Sequence, residues 1–94
     1  MYYPAKFSKE VDGYTVTFRD IPEAVTCGDT YEDAMAMAED VLMSSVDVYL
    51  ESGRLFPIPT AQIQNDETRV FLPDQTYEKV LRHNSALAGK NQLE

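Results

Sequence analysis

The sequence predicts an α+β domain whose elements follow the order β-β-β-α-β, with a further short helix after the last strand. Three observations support this prediction. Residues 2–18 alternate between apolar and polar side chains around an Asp12-Gly13 pair, which is typical of a β-hairpin. Residues 31–51 repeat apolar side chains at spacings of three and four, which is typical of an amphipathic helix. A chain of 94 residues is long enough for one small domain.

Three strands are predicted before the helix. Tyr2–Lys9 and Tyr14–Phe18 form the hairpin, with alternate side chains directed to the core. Pro4 cannot donate a hydrogen bond to a neighbouring strand, so we expect it near the start of its strand or at a sheet edge. The segment Arg19–Glu23 breaks the alternation and predicts a turn, and Ala24–Cys27 is a short third strand.

The long helix is predicted to begin after Thr30 and to end near Glu51. Thr30 is a favourable N-cap, and Glu32 and Asp33 lie in the first turn, where the positive end of the helix dipole favours acids. The helix should face the sheet with one apolar stripe, which consists of Ala34, Ala38, Val41, Leu42, Ser45, Val48 and Tyr49 and is widened by Met35, Val46 and Leu50.

The last third of the chain carries weaker signals. Gly53 is suited to end the helix, and Phe56 and Ile58 can pack on the sheet or on a partner. Thr68–Leu72 predicts a fourth strand and Gln75–Leu87 a last helix. Together these elements define a domain over residues 1–87, and residues 88–94 are expected to form a frayed tail.

The charge of the chain restricts its partners. There are 16 acidic and 8 basic residues, which give a formal net charge of −8. The phosphate backbone would repel such a chain, whereas a basic protein would be attracted and would associate faster. One cysteine excludes an internal disulfide, and no signal peptide or membrane span is evident, so we expect a cytoplasmic protein.

No catalytic, metal or cofactor motif can be assembled from the sequence. His83, the only histidine, is far along the chain from Cys27, which we expect to pack as a small apolar residue. The acids lie in turns or on the outer helix face without the spacing of a calcium loop, and the four glycines are isolated. We therefore expect no metal and no cofactor, and the acids form either a solvated face or a docking surface.

The order of these features resembles the HicB antitoxin family of type II toxin–antitoxin systems. The resemblance covers about residues 1–60, nearly two-thirds of the chain. It is carried by the Tyr3-Pro4 start, the Gly13-Tyr14 strand, Asp20-Ile21-Pro22, Thr26 followed by Gly28-Asp29-Thr30, the Glu32-Asp33-Ala34 helix start, Gly53, and the Pro57 and Pro59 pair.

The resemblance implies a partial ribonuclease-H-like domain that binds and neutralises a HicA toxin, a small basic ribonuclease that cleaves mRNA using a histidine. It also implies a homodimer or higher oligomer, and repression of the operon by operator DNA binding through a C-terminal domain. That C-terminal domain is not evident in this chain after Leu87, so we expect weak or no DNA binding by these residues.

We expect an antitoxin that is not an enzyme. Ribonuclease-H enzymes need an acid on the first strand, and Tyr2–Ser8 contains none. A metal-dependent nuclease and a stand-alone dimerisation module are the alternatives. The residues expected to contact the toxin were selected for acidity or for an exposed turn position, and they are Tyr3, Asp20, Glu23, Asp29, Glu32 and Asp33.

Overall fold

A four-stranded antiparallel sheet with the strand order β3-β2-β1-β4 is covered by one long helix. The computed structural model describes residues 1–92, and the side chains of residues 1–89. The elements are β1 Tyr2–Glu10, β2 Gly13–Phe18, β3 Val25–Gly28, α1 Tyr31–Glu51, β4 Glu67–Phe71 and α2 Asp74–Gln92. The predicted α+β class and the order β-β-β-α-β are confirmed, with α2 as the additional helix.

The β1–β2 hairpin follows the predicted alternation. Ala5 lies opposite Phe18 and Phe7 lies opposite Val16, so the side chains of both strands that face the helix meet in one layer. Gly13 opens β2 with a φ of 147°, a conformation that side chains with a Cβ rarely adopt. The predicted turn therefore depends on this glycine.

Pro4 lies in an interior strand, close to its beginning. It stands opposite Arg69 of β4, whereas pairing with β2 begins only at Ala5. The prediction that Pro4 lies near a strand start is confirmed, and the alternative of a sheet edge is wrong because β4 covers β1 on that side.

Helix α1 begins and ends where the sequence predicts. The Thr30 side chain accepts a hydrogen bond of 3.1 Å from the backbone N–H of Asp33, as an N-cap does. Five residues of α1 are fully or nearly fully buried, namely Ala34, Ala38, Leu42, Val46 and Tyr49. The predicted stripe was wrong at Val48, which is 52% exposed, and it underrated Val46, which is buried.

The turn between β3 and α1 brings helix and strand unusually close. A Cβ added to Gly28 would lie 2.4 Å from the backbone nitrogen of Ala34 and 2.6 Å from its Cα. Backbone atoms cannot move away as the end of a flexible side chain can. A glycine at this position, together with the small Ala34 and Ala38, allows α1 to pack directly on the sheet.

The segment after α1 wraps one end of the sheet. Gly53 has a φ of 69° and ends the helix as predicted. Phe56 is buried against Tyr3 and Tyr49, with ring centroids 5.8 Å and 5.1 Å away. The backbone N–H of Phe56 donates to Asn84 Oδ1 and its carbonyl accepts from Asn84 Nδ2, both at 3.0 Å. The buried Phe56 thus anchors α2 to the core.

The last two elements differ from the predictions in their bounds. Strand β4 begins at Glu67, one residue earlier than predicted. Helix α2 continues to Gln92 instead of ending near Leu87, so residues 88–92 of the predicted frayed tail have helical backbone. The remaining two residues of that tail, 93 and 94, lie outside the described residues.

Gly28 provides a direct test of the helix–sheet contact. We expect Gly28→Ala to lower the free energy of unfolding by about 1–3 kcal/mol, because the new methyl group overlaps with backbone atoms. Gly89→Ala is the matched control, since nothing lies within 4 Å of the added Cβ and alanine favours a helix interior by about 0.5–1 kcal/mol. Urea unfolding measures both changes, and equal stability of Gly28→Ala and the unsubstituted chain would contradict the packing.

Candidate protein-interaction surface

Acidic residues are concentrated in one part of the chain. Residues 20–53 contain no Lys, Arg or His, but they contain nine acids, which are Asp20, Glu23, Asp29, Glu32, Asp33, Glu39, Asp40, Asp47 and Glu51. Six of these nine acids lie on α1, whose inner side is buried on the sheet. The outer side of the helix is therefore a strongly negative surface.

The ion pairs among the described residues leave the acids of α1 free. Glu23 pairs with Arg54 at 2.9 Å, Asp66 pairs with Lys6 at 3.3 Å, and Glu67 pairs with Arg19. Asp74 lies 3.4 Å from the amino terminus. None of these pairs includes an acid of α1, so the charge of the helix is not neutralised by the described part of the chain.

Tyr3, the only non-acidic residue in the predicted contact set, lies in the core. Its side chain is fully buried, and its hydroxyl donates a hydrogen bond of 2.7 Å to the carbonyl oxygen of Pro57. Burial raises the pKa of this hydroxyl, with a further contribution from Asp20 and Tyr77. A docked protein would not touch Tyr3 in this conformation, so the expected contact is corrected to a role in the core.

Asp20 connects the β2–β3 turn to the segment that follows α1. Its carboxylate accepts hydrogen bonds from the backbone N–H of Thr60 at 2.9 Å and from the Thr60 hydroxyl at 2.6 Å. Arg19, its neighbour, donates to the carbonyl oxygen of Gln62 and to the Glu67 carboxylate. These contacts raise the pKa of Arg19 and lower that of Glu67. Asp20 thus has a structural role, whether or not a partner contacts it.

Glu23 is half-exposed and is held by two side chains of the α1 end. It accepts hydrogen bonds from the Tyr49 hydroxyl at 2.6 Å and from Arg54 at 2.9 Å. These two bonds lower the pKa of Glu23 to about 2. The guanidinium carbon of Arg54 also lies 4.0 Å from the centroid of the Tyr49 ring, a cation–π contact.

The other three predicted contact residues surround the beginning of α1. Asp29, Glu32 and Asp33 are exposed, and the backbone of Asp33 donates to the Thr30 cap. The helix dipole stabilises their charges, which point to solvent at the same end of the helix. The structure thus brings these three acids together and places Asp20 and Glu23 at the β2–β3 turn.

Sequence reasoning missed an exposed apolar stripe on one side of α1. The stripe consists of Met37, Val41, Ser44 and Val48, of which Met37 and Val48 are each about half exposed. A shallow groove of about 240 Å³ runs beside it, and we call it the α1 groove. Its lining includes Val41, Ser44, Val48 and Tyr49 of α1 together with Glu23 and Arg54. The sequence signal was the width of the apolar face, from which the predicted stripe assigned Val41 and Val48 to the core and left Met37 and Ser44 out.

Cys27 and His83, the two residues considered for nucleophilic chemistry, lie on different elements, β3 and α2. Cys27 is exposed on β3, so its predicted packing as a small apolar residue is wrong. His83 is half-buried, and its Nε2 donates a hydrogen bond of 2.9 Å to the carbonyl oxygen of Arg54.

Strand β1 extends to Glu10, two residues beyond the segment that was predicted to lack acids. Within residues 1–92, no three His, Cys, Asp or Glu side chains are arranged to hold a metal ion.

Neither helix of the described chain combines the length and apolar content needed to cross a membrane.

The fold and this surface define a class of small α+β domain, in which one helix covers an antiparallel sheet and presents acids on its outer side. A family model described as the HicB-like antitoxin of bacterial toxin–antitoxin systems matches residues 2–81. The chain belongs to this family of HicB-like antitoxins.

Curated relatives and a solved structure are similar to this chain. Antitoxin HicB 2 of Photorhabdus laumondii is 44% identical over 93% of the chain, and antitoxin HicB of Escherichia coli K12 is 38% identical over 96%. The chain spans 60% and 65%, respectively, of the length of these relatives. A chain from a structure described as the HicA3 and HicB3 toxin–antitoxin complex superposes with a TM-score of 0.60 and 27% identity, over 66% of this chain and 72% of that one.

The hydrogen bonds of Glu23 predict a pH-dependent contribution to stability. Since the pKa of Glu23 falls from an ordinary value of 4.5 to about 2 on folding, its ionised form stabilises the folded chain above pH 4.5. That contribution is lost as the pH falls from 4.5 toward 2. We expect Glu23→Gln to be less stable than the unsubstituted chain at pH 7, with a difference that shrinks progressively in acid.

Urea unfolding at a series of pH values between 7 and 2 measures this difference. Tyr49→Phe serves as a second variant, because it removes the hydrogen bond that contributes most to the shift and should bring the pKa of Glu23 closer to 4.5. NMR titration of the Glu23 carboxyl carbon reports that pKa directly. A Glu23 pKa near 4.5 in the unsubstituted chain would contradict the assignment.

Proposed function

We propose that this chain is an antitoxin domain that binds and neutralises a small basic HicA-type toxin that cleaves mRNA. Membership in the HicB-like antitoxin family is the observation that carries this proposal. The similarity to a chain of the HicA3 and HicB3 toxin–antitoxin complex supports the choice of partner. The inhibition is direct, because the antitoxin covers the surface with which the toxin binds RNA.

The charge distribution supports a basic partner. A toxin that binds RNA needs a positive surface, and the nine acids within residues 20–53 offer the opposite charge. Complementary potentials accelerate association and favour the correct orientation of the partners. Asp29, Glu32 and Asp33 contribute to this attraction from the exposed beginning of α1, and Glu23 contributes from the β2–β3 turn.

Binding rather than catalysis is the activity we propose for this domain. A ribonuclease-H-like mechanism requires several carboxylates that hold metal ions close together. Glu10, the one acid of β1, lies at the turn opposite Gly13. The acids of α1 are spread along the outside of a helix, where they suit a protein surface better than a metal centre.

Inhibition of the toxin tests the proposed function. The purified chain should block cleavage of an mRNA transcript by its proposed HicA-type partner toxin, and the inhibition should be complete near equimolar ratio. Co-expression should also restore growth of cells arrested by that toxin. Cleavage that continues in the presence of excess folded chain would contradict the proposal.

Salt dependence tests the contribution of the acids. We expect the association rate to fall by about tenfold between 0.05 M and 0.5 M salt, because screening weakens the attraction between exposed charges. Glu32→Lys should slow association at low salt while leaving dissociation almost unchanged. Biolayer interferometry separates the two rates, and an association rate independent of salt would exclude steering by these acids.

A further inference from the structure

We propose that the α1 groove and the apolar stripe beside it are the docking surface for the basic partner, and that the surface receives an aliphatic side chain flanked by Lys or Arg. This inference rests on the proposed function and adds to it the place of contact and its chemistry. The nine acids alone define no particular site, since they extend over 32 positions from 20 to 51.

Exposed apolar area identifies the contact region on α1. Met37 and Val48 lie about three turns apart on one side of the helix, and Val41 and Ser44 lie between them. Solvent exposure of such a continuous stripe is unfavourable, and covering it with a partner would release water from its surface. Ser44 is small, so it leaves space between the flanking valines for an inserted side chain.

The groove has a fixed wall, which prepares it for binding. Glu23 and Arg54 close one side, and they are held by the hydrogen bond from Tyr49 to Glu23, the ion pair and the cation–π contact. Side chains that are already held in place lose less conformational entropy when a partner binds. The groove therefore combines exposed apolar side chains with a wall that is already in place.

Charge complementarity selects the occupant. Asp40 lies one helical turn from Met37 and from Ser44, and Glu51 lies one turn from Val48. Acids thus border the apolar stripe along its outer side, and none of them has an ion-pair partner among the described residues. A second copy of this chain would bring the same uncompensated acids to the interface, whereas a basic protein would neutralise them.

Two pairs of substitutions on the full chain test this surface. Val48→Arg obstructs the groove, and Val11→Arg is its control at an exposed valine that lies in the β1–β2 turn and does not line the groove. Asp40→Lys reverses a charge beside the stripe, and Glu39→Lys makes the same change on the adjacent residue, which projects about 100° away around the helix. All four positions are exposed, so the variants should fold, and circular dichroism melting checks this.

Calorimetry with the proposed HicA-type partner toxin, inactivated at its catalytic histidine, measures the affinities. We expect Val48→Arg to weaken binding by about 100-fold and Asp40→Lys by about tenfold, whereas Val11→Arg and Glu39→Lys change it by less than about threefold. Unchanged affinity of folded Val48→Arg, or equal losses within either pair, would overturn the inference while leaving the proposed function intact.

Two further outcomes separate the alternatives. Absence of binding by the unsubstituted chain would contradict the proposed function, and this inference with it. Light scattering after gel filtration reports the oligomeric state of each variant. If Val48→Arg converts a dimer to a monomer but leaves the affinity for the toxin unchanged, the groove belongs to an interface between copies of this chain and the inference is overturned.

Discussion

The close approach of α1 to the sheet at Gly28 is the constraint on which the rest of the structure depends. Without a Cβ at Gly28, the backbone of Ala34 can lie against the end of β3, and the small Ala34 and Ala38 continue this contact along the helix. Larger side chains, Leu42 and Val46, fill the core farther along. A helix held in this way cannot rotate about its axis, so the sides it presents to solvent are fixed by its contacts with the sheet.

The second organising feature is the aromatic cluster at the other end of α1. Tyr3 and Tyr49 each pack edge to face with Phe56. The two tyrosine hydroxyl groups and the backbone of Phe56 form hydrogen bonds to surrounding segments. The Tyr49 hydroxyl donates a hydrogen bond to Glu23, which lines the exposed groove, so the core and the groove share a contact. Packing in the interior and geometry at the surface are therefore coupled, because one side chain takes part in both.

The division between core and surface separates the scaffold of this domain from the part that a partner could contact. A sheet and a covering helix are scaffold features, which do not by themselves define a function. In the proposed complex, recognition depends instead on what remains exposed when that helix is anchored, here a stripe of apolar side chains beside acids that have no ion-pair partner among the described residues. A domain of this size gains both stability and specificity when a partner covers such a stripe.

The sequence by itself determined the succession of strands and helices along the chain, the Thr30 cap, the bounds of α1 and the excess of acids. These features depend on local periodicity, capping and composition. Only the tertiary structure decided which acids stay free and which are held, since Asp20 and Glu23 find partners in segments distant along the chain. It also showed that Val48, which was predicted to face the core, is exposed, and that Tyr3, which was predicted to contact a partner, is buried. An apolar pattern shows which side chains favour burial. Only the packing of the helix on the sheet determines which of these side chains are covered.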